Sequence, residues 1–243
     1  YFNQNLEIET FKLLKDSNYD TFIDIGAYFG YFSIFAKIKT KIKNIIAYEA
    51  SPYNFNQLKK FLKLNNTNFE IFNKAVGDKK GTVKFYKPVY KEADKFPTHG
   101  TIINPNLYST SLYSGNSHET FDVEMIPLKD ILEKKVNGST LVKIDIEGYE
   151  EKSLRSVQEY LKNSNNIDFL IEILINDKNK ESLFNFIKSQ GFDSYLLTNA
   201  GLIHEEKPLT LPKPYGDSSK KYLRTLWKDH FFTKKDKNKI NQM

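Results

Sequence analysis

Short apolar runs alternate along the chain with segments whose apolar residues recur every three or four positions. Continuous short runs are typical of strands buried on both faces, and the longer spacing is typical of helices. The runs predict strands at 20–25, 44–49, 68–72, 81–86, 121–125, 140–145, 167–173, 191–197 and 202–203. The helical stripes fall at 6–14, 32–38, 55–62, 128–132, 154–161 and 183–187. This alternation predicts an α/β fold with a mostly parallel sheet and helices on both faces.

The first strand leads into a turn with two glycines. It ends in Asp24-Ile25-Gly26, and Gly30 precedes the next helix. A strand, a glycine turn and a helix together offer a ligand backbone N–H groups and a helix N-terminus. The spacing lacks the third glycine of a dinucleotide loop, and no Gly-Lys-Ser/Thr of a P-loop follows. The turn therefore suits a ribose or an amino-acid zwitterion, with Asp24 facing the ammonium group, unless it is only a tight connection.

Acidic residues stand at the predicted carboxyl ends of the strands, where ligands of such sheets bind. Glu49 follows the glycine turn by about 20 residues, the place where a carboxylate binds both hydroxyls of a ribose. Asp78 comes after the third strand and either accepts a hydrogen bond from an adenine amino group or only forms a turn. A nucleoside without phosphate, joined to a zwitterion, describes S-adenosylmethionine. Further acids follow the later strands: Asp145, Glu147 and Glu172.

Composition narrows the class of protein. The 243 residues are 40% hydrophobic and include no cysteine, which excludes disulfides, cysteine-bound zinc and a thiol nucleophile. No apolar run approaches the roughly 20 residues that span a bilayer, and no signal peptide is recognisable. We expect a cytoplasmic protein. The net charge of +6 arises in residues 220–243, which hold eight basic and two acidic side chains, so the body is balanced and no nucleic-acid partner is expected.

Four stretches resemble the FkbM family of methyltransferases in order and spacing: Phe22–Tyr31, Tyr48–Pro52, Asn73–Asp78 and Val142–Glu150. Short blocks at 110–112 and 170–173 are also similar, and Ala50 stands where relatives often have proline. The resemblance runs from about residue 20 to about residue 200 of the numbering. It implies a Rossmann-like class I methyltransferase fold with a seven-stranded sheet. It also implies S-adenosylmethionine as donor and O-methylation of a sugar, glycan or secondary-metabolite acceptor.

Carried over position by position, the resemblance assigns two sets of residues. The cofactor-binding set is Asp24, Gly26, Ala27, Gly30, Glu49, Ala50, Val76 and Asp78. The catalytic set, beside the transferred methyl group, is Lys143, Asp145, Glu147 and Glu172. Methyl transfer is an in-line displacement that depends on alignment, and the acceptor hydroxyl must lose a proton. Asp145 or Glu147 is the candidate base if burial raises its pKa.

Three alternatives remain open at these positions. Lys143 and Asp145 lie on one face of their strand, so they form either a buried ion pair or a catalytic pair. Asp145, Glu147 and Glu172 form either a proton-transfer site or the ligands of a divalent metal such as Mg²⁺. The histidines are further candidate bases at 99, 118, 204 and 230, with His118 either carried over the site by a lid or simply exposed in its loop.

The chain divides into three parts: an N-terminal helix at 1–19, a methyltransferase domain at 20–204, and a proline-containing loop with a basic tail at 205–243. A long irregular loop at 87–118 and the loop at 205–219 are expected to shape the acceptor pocket. Apolar tail residues fall on one helical face: Tyr222, Leu223, Leu226, Trp227, His230 and Phe231. The tail either packs on the sheet or binds an anionic partner or membrane surface, with the body a degenerate binding module.

Overall fold

The computed structural model describes residues 8–16, 18–89, 100–105, 117–173, 180–209, 228–236 and 240. Eleven strands lie in these ranges: β1 Thr21–Ile25, β2 Asn44–Tyr48, β3 Glu70–Phe72, β4 Ala75–Gly77, β5 Gly81–Val89, β6 Ser117–Pro127, β7 Thr140–Ile144, β8 Ile167–Glu172, β9 Asp193–Thr198, β10 Gly201–Glu205 and β11 Asp229–Thr233. Seven helices accompany them: α1 Ile8–Asp16, α2 Tyr31–Lys39, α3 Pro52–Leu64, α4 Leu128–Lys135, α5 Glu150–Arg155, α6 Gln158–Asn163 and α7 Lys180–Ser189.

Eight strands form the central sheet in the order β10-β9-β11-β8-β7-β1-β2-β3. The five strands from β8 to β3 run parallel to their neighbours, and β11 lies antiparallel between β8 and β9. The predicted α/β fold with a mostly parallel sheet is confirmed. The sheet has one strand more than the seven expected, because β10 pairs with β9 as a short antiparallel hairpin at the edge.

Helices cover both faces of this sheet. Within β1, Phe22 packs with residues of α1 and α2, whereas Ile23 and Ile25 pack with residues of α4 to α7 on the opposite face. Every residue of β1, β7 and β8 is buried. Successive side chains of a strand point to opposite faces, so a strand covered on both sides is apolar almost throughout. This burial explains why these strands were predictable as continuous apolar runs.

A second sheet of three strands, in the order β4-β6-β5, lies beside the central one. Strands β5 and β6 form a long antiparallel hairpin from Gly81 paired with Met125 to Val89 paired with Ser117. The prediction of an irregular loop over 87–118 is therefore wrong at both ends, which are strand. Thr101 also forms a β-bridge with Tyr86. The remainder of the predicted loop, at 90–99 and 106–116, lies outside the described residues.

Strand β11 corrects the interpretation of the tail as an amphipathic helix. His230 and Phe231 are fully buried in the central sheet rather than placed on a helical face. Flanking lysines contact the body: Lys235 pairs with Asp168, and Lys234 donates to the Leu161 carbonyl at 2.7 Å. The other residues of that proposed face, at 222–227, lie outside the described residues. Within the described ranges, no helix is long and apolar enough to cross a membrane.

Candidate functional site

The glycine turn after β1 is shaped by close contact with β7. Gly26 has a φ of +84°, and a Cβ on it would lie 1.8 Å from the carbonyl oxygen of Asp145. Only glycine tolerates both that backbone conformation and that approach. The N–H groups of Gly26 and Ala27 both donate to the carbonyl of Tyr48, each at 2.9 Å. The turn is thus fixed between the carboxyl ends of β2 and β7.

The second glycine sets the start of α2. Gly30 has a φ of +78°, and a Cβ there would lie 2.1 Å from Cδ1 of Leu58 on α3. Tyr28 between the glycines also has a positive φ, +54°, which is uncommon for a residue with a side chain. Gly30 therefore allows the start of α2 to lie close to Leu58 of α3.

Glu49, directly after β2, connects the glycine turn to α3. Its Oε2 accepts a hydrogen bond from Tyr28 N at 2.8 Å, and its Oε1 accepts from Ser51 N at 2.8 Å and Asn54 Nδ2 at 3.3 Å. An ionised carboxylate has about four acceptor sites, so these three bonds leave room for one more. Burial raises the pKa of Glu49 to about 7, although the hydrogen bonds oppose this rise. Glu49 is thus held by a backbone N–H group of the glycine turn and by another at the start of α3.

Asp24 lies inside the sheet beneath the glycine turn. Its side chain is fully buried, and its Oδ2 accepts a hydrogen bond from Ser33 Oγ of α2 at 2.6 Å. The contact joins β1 to the first turn of α2. The expected contact between Asp24 and an ammonium group stays a prediction, and the structure adds a role for Asp24 in holding α2 against the glycine turn.

Asp78, just beyond β4, is bound to the segment that follows β7. Its Oδ1 accepts from Tyr149 Oη at 2.9 Å, and Lys152 Nζ lies 3.6 Å from Oδ2. Burial raises the pKa of Asp78, but the Tyr149 hydrogen bond and the Lys152 charge outweigh burial, so its pKa lies below the usual value. Tyr149 also packs against the backbone of Gly77. Asp78 is therefore ionised at neutral pH and anchored next to the end of β7.

Lys143 and Asp145 form an ion pair at the end of β7. Nζ of Lys143 lies 3.1 Å from Oδ2 of Asp145, and 5.3 Å from the ring centroid of Phe32. The Lys143 side chain is 3% exposed, whereas that of Asp145 is 27% exposed. The prediction that the two share a face is confirmed. The two side chains thus form the ion pair that was one of the two alternatives left open by the sequence, between a buried ammonium and a partly exposed carboxylate.

The residues after Asp145 form a turn with an unusual backbone, which we call the 145–148 turn. Glu147 has a φ of +55° and Gly148 a φ of +100°. The Glu147 carbonyl accepts a hydrogen bond from Thr101 Oγ1 at 3.0 Å. Glu147 is half-buried, and its role as a candidate base stays a prediction.

Glu150, the first residue of α5, binds the 145–148 turn but was not among the predicted site residues. Its oxygens accept hydrogen bonds from Ile146 N at 2.8 Å and from Gly148 N at 2.9 Å. Burial raises its pKa to about 8. One sequence feature pointed to this residue, because an acid stands at the start of a helix two residues after Gly148. The residue pattern did not show which N–H groups that acid would bind.

Glu172 is paired with the C-terminal segment instead of with Asp145. It ion-pairs with Lys228, which directly precedes β11, and lies opposite Asp229 in register. Among the residues that the structure describes, no three His, Cys, Asp or Glu side chains group closely enough to hold a metal ion. The alternative of a metal shared by Asp145, Glu147 and Glu172 is therefore not supported.

The structure describes three of the four candidate histidines, and each of these three lies in a strand. His118 lies within β6, opposite Pro88, so the interpretation that it ends an irregular loop is wrong. His230 is buried in β11 and bonds Glu205 Oε2 through Nδ1 at 2.8 Å. His204 is in β10, near Asp193 and Glu206. His99 lies outside the described residues.

A chain of contacts brings most of the predicted residues together at the carboxyl ends of β1, β2, β4 and β7. Gly26 touches the Asp145 carbonyl, Tyr28 binds Glu49, and Tyr149 binds Asp78. Ala50, half-buried, and Val76, buried, lie on the same edge after β2 and within β4. The site therefore combines the glycine turn with carboxylates from neighbouring strands. The three groups that donate hydrogen bonds to Glu49 are uncharged.

The family model described as Methyltransferase FkbM domain matches residues 24–194. The chain belongs to the FkbM methyltransferase family. This match spans the glycine turn, Glu49, Asp78 and the 145–148 turn, which are the parts of the site joined by the contacts above. The FkbM resemblance stated from the sequence is therefore confirmed.

Two solved structures show the same fold. An FkbM methyltransferase from Methylobacillus flagellatus KT is 15% identical with a TM-score of 0.50, and the match covers 88% of this chain and 43% of that one. A precorrin-6y C5,15-methyltransferase from Geobacter metallireducens GS-15 is 11% identical with a TM-score of 0.51, covering 97% and 90%. The chain thus spans less than half the length of that FkbM structure. No curated protein matches this FkbM chain.

We predict that Gly26→Ala destabilises this FkbM protein strongly. The new Cβ would overlap the Asp145 carbonyl, and the positive φ adds strain, so we expect a loss on the order of 3 kcal/mol in the free energy of unfolding. Gly81→Ala is the matched control, because a Cβ there meets no atom within 4 Å. Urea denaturation of both variants checks this, and equal stability of the two would contradict the described contact.

Burial of Glu49 predicts a pH-dependent stability. Its pKa rises from a usual 4.5 to about 7 on folding, so the folded state binds the proton more tightly. The resulting stabilisation is complete below pH 4.5 and is lost as pH rises through about 7, a change on the order of 3 kcal/mol. The stability of wild type minus that of Glu49→Gln should fall over this interval. Glu181→Gln, at an exposed acid of α7, is the control, and a difference independent of pH would refute the assignment.

Proposed function

We propose that the chain is an S-adenosylmethionine-dependent methyltransferase that transfers a methyl group to a hydroxyl of a sugar, glycan or secondary-metabolite acceptor. The observation that supports this best is the position of Glu49. Its carboxylate lies between the glycine turn and the start of α3 and keeps one acceptor site beyond its three hydrogen bonds. A ribose hydroxyl is the kind of donor that such a site accepts.

The chemistry of the donor set fits S-adenosylmethionine. Gly26 and Ala27 would border the amino-acid part, Glu49 and Ala50 the ribose, and Val76 with Asp78 the adenine. Gly26 allows the Asp145 main chain to approach the glycine turn closely, which places the 145–148 turn next to the donor residues. The partners given for Glu49 and Asp24 are backbone N–H, amide and hydroxyl groups, which suit an uncharged nucleoside better than a phosphate. Metal ions have no part in this proposal.

The transfer step needs a proton acceptor and alignment. S-adenosylmethionine supplies the electrophilic methyl group when bound. Asp145 is 27% exposed and paired with Lys143, so part of its carboxylate is accessible to an acceptor hydroxyl. Glu147, two residues later on the turn, is the alternative acceptor of that proton. Holding the reacting oxygen in line can contribute on the order of 7 kcal/mol, and the fixed 145–148 turn is suited to this task.

The choice of acceptor rests on the family resemblance. Glu172 and its partner Lys228 lie at the ends of β8 and β11, next to the segment 210–227 that the structure does not describe. The loops predicted from the sequence at 87–118 and 205–219 are rich in Tyr, Ser, Thr, Asn and Pro, which suits a hydroxyl-bearing acceptor. We propose that they contribute the acceptor side of the site, with Glu172 at its edge.

Donor binding is the first test. Titration calorimetry with S-adenosylhomocysteine should show micromolar affinity, and NAD should show none. Glu49→Ala should weaken binding by about 10- to 100-fold, because hydrogen bonds to a charged group contribute about 1.5–3 kcal/mol. Glu70→Ala changes an exposed acid on β3 and serves as control. Absence of binding to the wild-type chain would refute the proposal, and an unaltered Glu49→Ala affinity would remove Glu49 from the ribose role.

Turnover tests the proton acceptor separately. Asp145→Asn should keep donor affinity but reduce methyl transfer by at least about 100-fold, the usual contribution of a general base. Transfer of labelled methyl from S-adenosylmethionine to a panel of sugars and glycans gives the measurement. Asp122→Asn, at an exposed position of β6, is the matched control. If Asp145→Asn turns over normally while Glu147→Gln does not, the role belongs to Glu147.

A further inference from the structure

The 145–148 turn has a backbone that needs to be held in place. Two successive residues, Glu147 and Gly148, have φ of +55° and +100°. Glycine adopts such angles freely, but Glu147 has a Cβ and pays about 1–2 kcal/mol for a left-handed conformation. The turn is therefore populated only if surrounding groups favour it over an ordinary connection between β7 and α5.

Glu150 supplies that favourable contact. Its carboxylate accepts from Ile146 N at 2.8 Å and Gly148 N at 2.9 Å, the two N–H groups on either side of Glu147. The side chain is 5% exposed, and a buried carboxylate is costly unless hydrogen bonds compensate for lost hydration. Burial raises the pKa of Glu150 to about 8, and the hydrogen bond from Ile146 N opposes this rise, so contact with the turn favours the ionised carboxylate. The carboxylate and the turn thus stabilise each other.

Thr101 contacts the turn from the other side. Its Oγ1 donates to the Glu147 carbonyl at 3.0 Å, and the residue is 1% exposed. Thr101 is itself fixed by two backbone hydrogen bonds with Tyr86, at 2.8 and 3.1 Å. The peptide groups around Glu147 are therefore bonded both to α5 and to the segment that leaves β5.

The position of the turn matters because it touches the donor side of the site. The Asp145 carbonyl oxygen occupies the space where a Gly26 Cβ would lie, and Asp145 N donates to the Ile25 carbonyl at 2.9 Å. At the other end, Tyr149 Oη donates to Asp78 at 2.9 Å. Any rearrangement between Asp145 and Tyr149 would therefore move groups that border the glycine turn and Asp78.

We propose that Glu150 is a positioning residue, which holds the 145–148 turn against the glycine turn and so shapes the donor site and aims Asp145 and Glu147. This inference rests on the proposed function. Both oxygens of Glu150 face backbone N–H groups of the turn, so the role that we assign to it acts through the turn and not through contact with donor or acceptor.

Glu150→Gln tests this positioning role. The amide oxygen can still accept from one of the two backbone N–H groups, but the NH₂ group is a donor and cannot accept from the other. Glu151→Gln is the matched control: Glu151 is the next residue on α5 and pairs with Arg155 at 2.7 Å instead of with the turn. Glu150→Asp keeps the carboxyl group on a shorter side chain and serves as the second variant if Glu150→Gln fails to fold. Urea denaturation of each variant establishes the conditions under which it is folded.

Two readouts are compared under those conditions. Affinity for S-adenosylhomocysteine is measured by calorimetry, and amide hydrogen exchange of Ile146 and Gly148 by NMR. We expect Glu150→Gln to bind at least tenfold more weakly, with exchange at these two amides at least tenfold faster. Glu150→Asp should be intermediate, and Glu151→Gln should match the wild type in both.

The outcomes separate this inference from the proposed function. Faster exchange with unchanged S-adenosylhomocysteine affinity, in either Glu150 variant, would show that Glu150 only caps α5 and would overturn the positioning role. A loss of affinity without faster exchange at Ile146 and Gly148 would show that Glu150 affects donor binding without changing the 145–148 turn, and it would overturn the proposed positioning role. Failure of the wild-type chain to bind S-adenosylhomocysteine would instead refute the proposed function, and the inference with it.

Discussion

The contact between Gly26 and the carbonyl of Asp145 is the constraint on which the site depends. Strands β1 and β7 are neighbours at the centre of the sheet, and their ends approach so closely that a Cβ on Gly26 would lie 1.8 Å from that oxygen. Close packing of two main chains is possible only without a side chain. Because of this contact, the glycine turn and the 145–148 turn form one surface, and the groups that they carry stay close to each other.

Buried carboxylates hold the remaining parts of that surface. Asp24, Glu49 and Glu150 are nearly or wholly inaccessible, and each accepts hydrogen bonds from a loop or from a helix start. Burying a carboxylate costs free energy, which hydrogen bonds to N–H and hydroxyl donors offset. A core of apolar side chains would be less costly but would not orient backbone groups. We interpret the three carboxylates as the means by which irregular turns acquire a defined geometry.

The sequence predicted the strands that are buried along their whole length. Strands β1, β7 and β8 are buried on both faces, so apolar runs revealed them, and the glycine spacing indicated the turn. Strand β11 was missed, because its buried residues His230 and Phe231 also fit a helical spacing among lysines, and short apolar runs are ambiguous in this way. Glu150 was missed for a different reason. Its role depends on two N–H groups that point at it only because Glu147 and Gly148 have positive φ, and residue patterns do not report backbone angles.

The predicted site residues are held by two different parts of the chain, and β11 accounts for one of them. The glycine turn, Glu49 and Asp78 all lie within residues 24–78. Contacts among β1, β2, β4 and β7 hold them in place. Glu172, in contrast, is paired with Lys228 and faced by Asp229, so its surroundings are set by the C-terminal segment. The Ile173 N–H also donates to the Lys228 carbonyl at 2.9 Å, which fixes the start of β11 to the end of β8. Within the described residues, a change at Lys228 therefore reaches Glu172 directly, whereas the sheet connects Lys228 to the glycine turn through β8 and β7.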